Sequence, residues 1–78
     1  MEVDGYIDYE LINEFSEDCH QENEKWEDLK LIEERTTVID TAHNNEKDPG
    51  KKEQLKLLLG RCTMRIKEML MRQAEEVN

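Results

Sequence analysis

The side chains best suited to chemistry in this 78-residue chain are two cysteines, two histidines and many carboxylates. Glu17 and His20 have the three-residue spacing of the Glu-x-x-His ligand pair that di-iron helical bundles use. That site needs the motif twice together with two further carboxylates. His43 has Asp40 rather than a glutamate three residues before it. We therefore predict no metal site and no cofactor.

Nucleophilic catalysis would need a thiol or hydroxyl beside a base. Cys19 and His20 are adjacent, but neighbouring residues on a helix point about 100° apart and do not face each other. The segment Asp48–Lys52 is typical of a helix start rather than of a phosphate-binding loop.

Cys19 and Cys62 fall on apolar helix faces. This pattern indicates buried free thiols in a reducing compartment such as the cytoplasm, with a disulfide or a metal site as the alternative. We predict that the chain is not an enzyme.

Charge is abundant and unevenly distributed: 40% of residues are charged and the net charge is −9. Residues 1–28 carry eleven acids and one base, a net of −10, whereas residues 49–78 carry a net of +3 from seven bases and four acids. Such a chain repels nucleic-acid phosphates and anionic membranes, so we expect neutral or basic protein partners. The longest apolar run is Leu57–Leu59, and Met1–Asp4 is acidic. We predict neither membrane insertion nor a secretory signal.

Apolar residues recur at helical spacing throughout, which predicts an all-α, three-helix antiparallel bundle in a single domain over residues 1–78. The first helix is expected at about 4–23 with Asp4 as its N-cap, the second at 24–44 and the third at 49–76. Asp48 and Pro49 favour the N-cap and first helical position of the third helix. The predicted core faces consist of Ile7, Leu11, Ile12, Phe15 and Cys19; Trp26, Leu29, Ile32, Thr36, Ile39 and His43; and Leu55, Leu58, Leu59, Cys62, Ile66, Met69 and Leu70.

The third helix carries a second apolar row outside its core face. Leu57, Met64 and Met71 are spaced by seven and point roughly opposite to the core. Gly60 lies beside them and would let another backbone come close. The row either folds into the flank of a wide core or forms an exposed strip that docks another helix.

Three segments resemble the MIT (microtubule interacting and transport) domain, a three-helix module of endosomal sorting machinery. Lys25–Leu29 resembles the opening of its second helix, and Asn45–Lys52 resembles the acidic loop and Asp-Pro start before its third helix. The apolar spacing and the arginine of that third helix are matched by Leu55, Leu59, Cys62, Arg65, Ile66 and Met69.

The resemblance implies a function in protein recognition. MIT domains bind short amphipathic helices in a groove between two of their helices, where basic residues of the ligand meet acids of the domain. For this chain it implies a groove between the second and third helices. Together with the second apolar row, this gives the predicted partner-binding residues Leu31, Val38, Leu57, Met64, Glu68 and Met71.

We therefore expect a non-catalytic interaction module, an adaptor that docks a basic amphipathic helix of a partner. Two alternatives stay open. A small acidic inhibitor or adaptor could cap a basic surface on a larger protein, as the charge of residues 1–28 suggests. A homodimer or larger homo-oligomer could form through Leu57, Met64 and Met71.

Overall fold

The computed structural model describes residues 7–77, with side chains up to Glu75. Three helices, α1 (Tyr9–Gln21), α2 (Leu29–Asn45) and α3 (Pro49–Val77), form an all-α antiparallel bundle, as predicted. A single 3₁₀ turn, Glu24–Glu27, links α1 to α2 within the described chain. The connections are short, which makes consecutive helices antiparallel neighbours.

Aspartates set the start of each helix. The Asp8 carboxylate accepts the backbone N–H of Leu11 at 3.1 Å, and Asp48 accepts that of Gly50 at 2.9 Å. The expected start of α1 near Asp4 is wrong, because residues 7 and 8 are not helical and Asp8 provides the cap. Asp4 itself lies outside the described residues. Both aspartates are good N-caps, and spacing alone does not choose between them.

The junction between α1 and α2 differs from the continuous helix predicted from residue 24. Glu22 adopts a left-handed conformation with φ 50° and ends α1. Asn23 then caps the 3₁₀ turn, and Asp28 caps α2 by accepting the Leu31 N–H at 3.2 Å. These two side chains accept hydrogen bonds from backbone N–H groups at the starts of the 3₁₀ turn and of α2. The segment therefore forms a separate 3₁₀ turn before α2, where one continuous helix was predicted.

The core contains side chains from all three helices and from the turn. Its fully packed members are Ile12, Phe15, Cys19, Trp26, Ile32, Ile39, Ala42, Leu55 and Cys62. Both cysteines are free and buried, as predicted. Leu11 and Leu70, expected in the core, are exposed. The bond from Arg65 to the Trp26 carbonyl marks the level at which α2 begins. Leu70 lies more than one turn beyond that level, so no other helix of the described residues covers it.

A polar clamp holds α1 and the turn against α2. Asp18 accepts hydrogen bonds from Asn23 Nδ2 and from Arg35 Nη1, both at 2.7 Å. The Arg35 guanidinium also lies 4.4 Å from the centre of the Phe15 ring. Hydrogen bonding from Asn23, with the bond and charge of Arg35, lowers the pKa of Asp18 even though burial opposes the shift.

Candidate partner-binding site

The second apolar row of α3 is exposed. Leu57 retains 63% of its accessible surface, Met64 58% and Met71 59%. Scattered exposed apolar residues are normal on a protein surface, but a row at helical spacing along one helix is a typical binding surface. The row therefore lies outside the core and is free of contacts that would bury it within the described chain.

Leu57 and Met64 border a groove of about 420 Å³ between α3 and the junction of α1 with the 3₁₀ turn. We name it the Trp26 groove. It is lined by Glu22, Trp26, Leu57, Gly60, Arg61, Met64, Arg65 and Glu68. Its volume lies at the lower end of the roughly 300–1,000 Å³ found for ligand sites, enough for a few side chains rather than a large ligand.

Arg65 fixes the wall of the groove. Its Nε donates to the Trp26 carbonyl at 3.0 Å, and its guanidinium lies 6.0 Å from the centre of the indole. Its Nη1 is 3.5 Å from a carboxylate oxygen of Glu68, three residues further along α3. The wall is thus held in place before any partner arrives, which lowers the entropic cost of binding.

Gly60 forms an open stretch of the groove floor. A Cβ at this position would meet no atom within 4 Å outside its own helical turns. A glycine inside a helix costs about 1 kcal/mol relative to alanine. No neighbour within the described chain requires a glycine at this position. The open backbone at Gly60 is therefore available to a molecule that approaches closely.

The charges around the groove are divided between its two sides. Glu22 is exposed at the end of α1 and lines the groove, and Glu24 and Glu27 are exposed in the same 3₁₀ turn as Trp26. On the opposite side, Arg61 Nη1 lies 3.4 Å from His20 Nδ1. The lining thus contains two acids, Glu22 and Glu68, and two bases, Arg61 and Arg65, of which Arg65 is engaged with the Trp26 carbonyl.

The structure separates the six predicted partner-binding residues, five of which were expected in one groove between α2 and α3. Leu57, Met64 and Glu68 line the Trp26 groove on the α1 side of α3. Val38 lines a second groove of about 300 Å³ between α1 and α2, named here the Val38 groove. Leu31 is half-buried on α2, and Met71 lies two turns beyond Met64.

The side of α3 on which the row lies could not be read from spacing. Met64 lies about 200° around the helix from Cys62, almost straight away from the core, and this angle does not say which neighbouring helix borders the row. Contact between Arg61 and His20 shows that α1 borders one flank of the row. Glu22 and Trp26 were not predicted to line a site with Leu57, because their meeting depends on the turn that ends α1. Glutamate gives no sequence signal for a left-handed helix end, which glycine usually marks.

The two cysteine thiols are buried and protonation of both is favoured by their surroundings. Burial raises the pKa of the Cys62 thiol to about 11, and burial also raises that of Cys19. Neutral, enclosed thiols are poor nucleophiles and poor metal ligands. Among the side chains of residues 7–75, no three His, Cys, Asp or Glu cluster in a way that could hold a metal ion.

Comparison of the chain with family models, with curated proteins and with solved structures gives no match. Along the described residues, no helix is both long and apolar enough to cross a membrane. Function is therefore inferred from the geometry of the Trp26 groove and from the charge of the chain. The resemblance to the MIT domain stays a prediction.

Proposed function

We propose that this protein is a non-catalytic interaction module that docks a basic amphipathic helix of a partner protein in the Trp26 groove. The observation that carries the proposal is the exposure of Leu57 and Met64 on either side of the open Gly60, beside a fixed tryptophan wall. An MIT-like adaptor acting in the cytoplasm is the form of this module that we favour, from the sequence resemblance and the free cysteines.

The length of the groove supports a helical ligand. Leu57 and Met64 are about 10.5 Å apart along α3, two turns of helix. An amphipathic helix presents apolar anchors at i, i+3, i+4 and i+7 over the same distance. Methionine adapts its shape to different anchors, and tryptophan is enriched where binding energy concentrates.

The charge of the chain supports a basic ligand. The net charge of −9 attracts cationic segments over distances of about 8 Å at physiological salt. Glu22 at the groove, and the exposed Glu24 and Glu27 in the turn that carries Trp26, offer carboxylates to lysines or arginines of the ligand. These charges steer association, whereas the apolar contacts supply most of the affinity.

A second candidate function is an acidic cap on a basic surface of a larger protein. It is favoured by the exposed carboxylates Glu10, Glu14 and Glu17 along α1. This function would use the outer face of α1 and leave the groove empty. Substitutions in the groove therefore distinguish the two functions.

Trp26 is the only tryptophan of the chain, which makes it an intrinsic probe of the groove. The ligand for the test is a synthetic peptide with leucines at i, i+3, i+4 and i+7 and lysines on the opposite face. We expect its addition to change the Trp26 emission with a micromolar dissociation constant. A peptide of the same composition whose leucines are scattered around the helix should bind much more weakly.

Met64→Glu and Met71→Glu form a matched pair for this titration, since the two methionines are almost equally exposed and only Met64 lines the groove. We expect Met64→Glu to weaken peptide binding at least about tenfold and Met71→Glu less than about twofold. Circular dichroism should show both variants folded. Equal losses in the two variants, or none in either, would contradict docking in the groove and favour the acidic cap.

A further inference from the structure

A second row runs along the outer face of α3, next to Leu57 and Met64. Glu53, Gly60 and Lys67 are spaced by seven, so they are nearly eclipsed along the helix. All three are exposed. Neither Glu53 nor Lys67 makes a side-chain hydrogen bond or an ion pair within the described residues. Opposite charges thus lie at equal distances on the two sides of an open glycine.

We infer that a second copy of this chain packs on this face, with the two α3 helices antiparallel and the twofold axis passing at Gly60. Glu53 and Lys67 each lie about 10.5 Å from Gly60, in opposite directions. An antiparallel copy therefore places each Glu53 against Lys67 of the other copy. The twofold symmetry makes this ion pair twice.

Gly60 allows the close approach that such a crossing needs. Without a Cβ, two helices can meet at the short end of the roughly 8–10 Å range of helix–helix distances. Leu57 and Met64 then lie on the flank of the contact, where the second copy covers part of their exposed surface. The dimer would thus bury apolar area that a monomer leaves in water.

Other arrangements of the same two helices bring like charges together. A parallel pair would place Glu53 against Glu53 and Lys67 against Lys67. An antiparallel pair centred on Met64 would place Lys67 against Arg61 and Lys56 against Arg72. Like charges directly opposite each other disfavour an interface, so the charge pattern favours the register centred on Gly60 over these two arrangements.

This dimer covers Leu57, Gly60 and Met64, which also line the Trp26 groove. Self-association and docking of a partner helix therefore compete for one surface, and a high concentration of the protein closes the groove. The competition rests on the proposed function, whereas the dimer does not.

Charge reversal tests the register directly. We expect light scattering across a concentration series to show a concentration-dependent dimer for the wild type. Glu53→Lys and Lys67→Glu should each weaken it at least about tenfold, because each variant alone faces like charges at both pairs. A mixture of the two single variants should form a heterodimer, and the double variant should dimerise like the wild type.

A wild type that stays monomeric at every concentration, or single variants that dimerise as well as the wild type, would overturn the inference. Neither Glu53 nor Lys67 lines the Trp26 groove, so the peptide titration remains available in all these variants. Loss of the dimer with intact peptide binding would thus refute only the dimer. Loss of peptide binding with an intact dimer would refute only the proposed function. Gly60→Ala adds a second readout, since it should weaken the dimer while raising the melting temperature of the monomer.

Discussion

The two faces of α3 carry similar apolar residues but differ in burial. On the inner face, Leu55 and Cys62 are buried by α1 and α2. On the outer face, Leu57 and Met64 are mostly exposed to solvent. They follow Leu55 and Cys62, respectively, by only two positions. The same chemistry stabilises the fold on one side and is available for association on the other. Which role an apolar residue takes depends on the helices that surround it, not on its type.

The largest expected difference between the two faces is in stability. Leu55→Ala should lower the free energy of unfolding by about 2–5 kcal/mol, because it leaves a cavity in the core. Leu57→Ala, the same change two residues away, should lower it by less than about 0.5 kcal/mol. Urea unfolding followed by circular dichroism measures both. Equal losses would mean that the outer face is packed in solution.

Substitution in the polar clamp that holds α1 over the inner face should lower the free energy of unfolding by a smaller amount. Asp18→Asn should lower the free energy of unfolding by about 1.5–3 kcal/mol, because it weakens a charged hydrogen bond and leaves the largely buried Arg35 without its counter-charge. Glu14→Gln, an exposed change on the same helix, is the control and should cost almost nothing.

The clamp also predicts a pH dependence. The pKa of Asp18 is lowered below its ordinary value of 3.8 in the folded protein, so its stabilising contribution is complete above that value. As the pH falls through the lowered pKa, the contribution is lost. The stabilities of the wild type and Asp18→Asn should therefore converge below pH 3.8, which thermal unfolding at several pH values would show. A constant difference down to acidic pH would refute the clamp.

The smallest expected change in the free energy of unfolding comes from a substitution on the outer face. Gly60→Ala should raise the free energy of unfolding of the monomer by about 0.5–1 kcal/mol, since alanine is the better helix former and nothing obstructs its methyl group. Thermal unfolding at low concentration, where the monomer dominates, measures it. A loss of stability would mean that Gly60 has a packing role within the bundle.

The sequence predicted what depends on local chemistry and spacing. Asp48 and Pro49 start α3 as expected, and the burial of Cys19 and Cys62 follows from apolar periodicity. The start of α1 was misplaced because two aspartates offer equivalent caps. The 3₁₀ turn was missed because Trp26 fits the apolar pattern of a longer helix.

The candidate site was predictable only in part. Spacing identified Leu57 and Met64 as lying outside the main core face but left open whether they pack on its flank, and the structure shows that they are exposed. It could not show that the groove beside them is closed by Glu22 and Trp26, because that contact is made by residues more than thirty positions away in sequence. Val38 was assigned to the same surface and instead lines the groove between α1 and α2.

The most direct test of the account is to map the bound peptide onto the chain by NMR. Amide and indole shifts of the labelled protein would be followed during titration with the basic amphipathic peptide. We predict that the largest changes occur at the Trp26 indole N–H and at the amides of Gly60 and Met64, with little change around Val38 and Thr41. Changes centred on the Val38 groove or along the outer face of α1, with the Trp26 indole unmoved at saturation, would contradict the account.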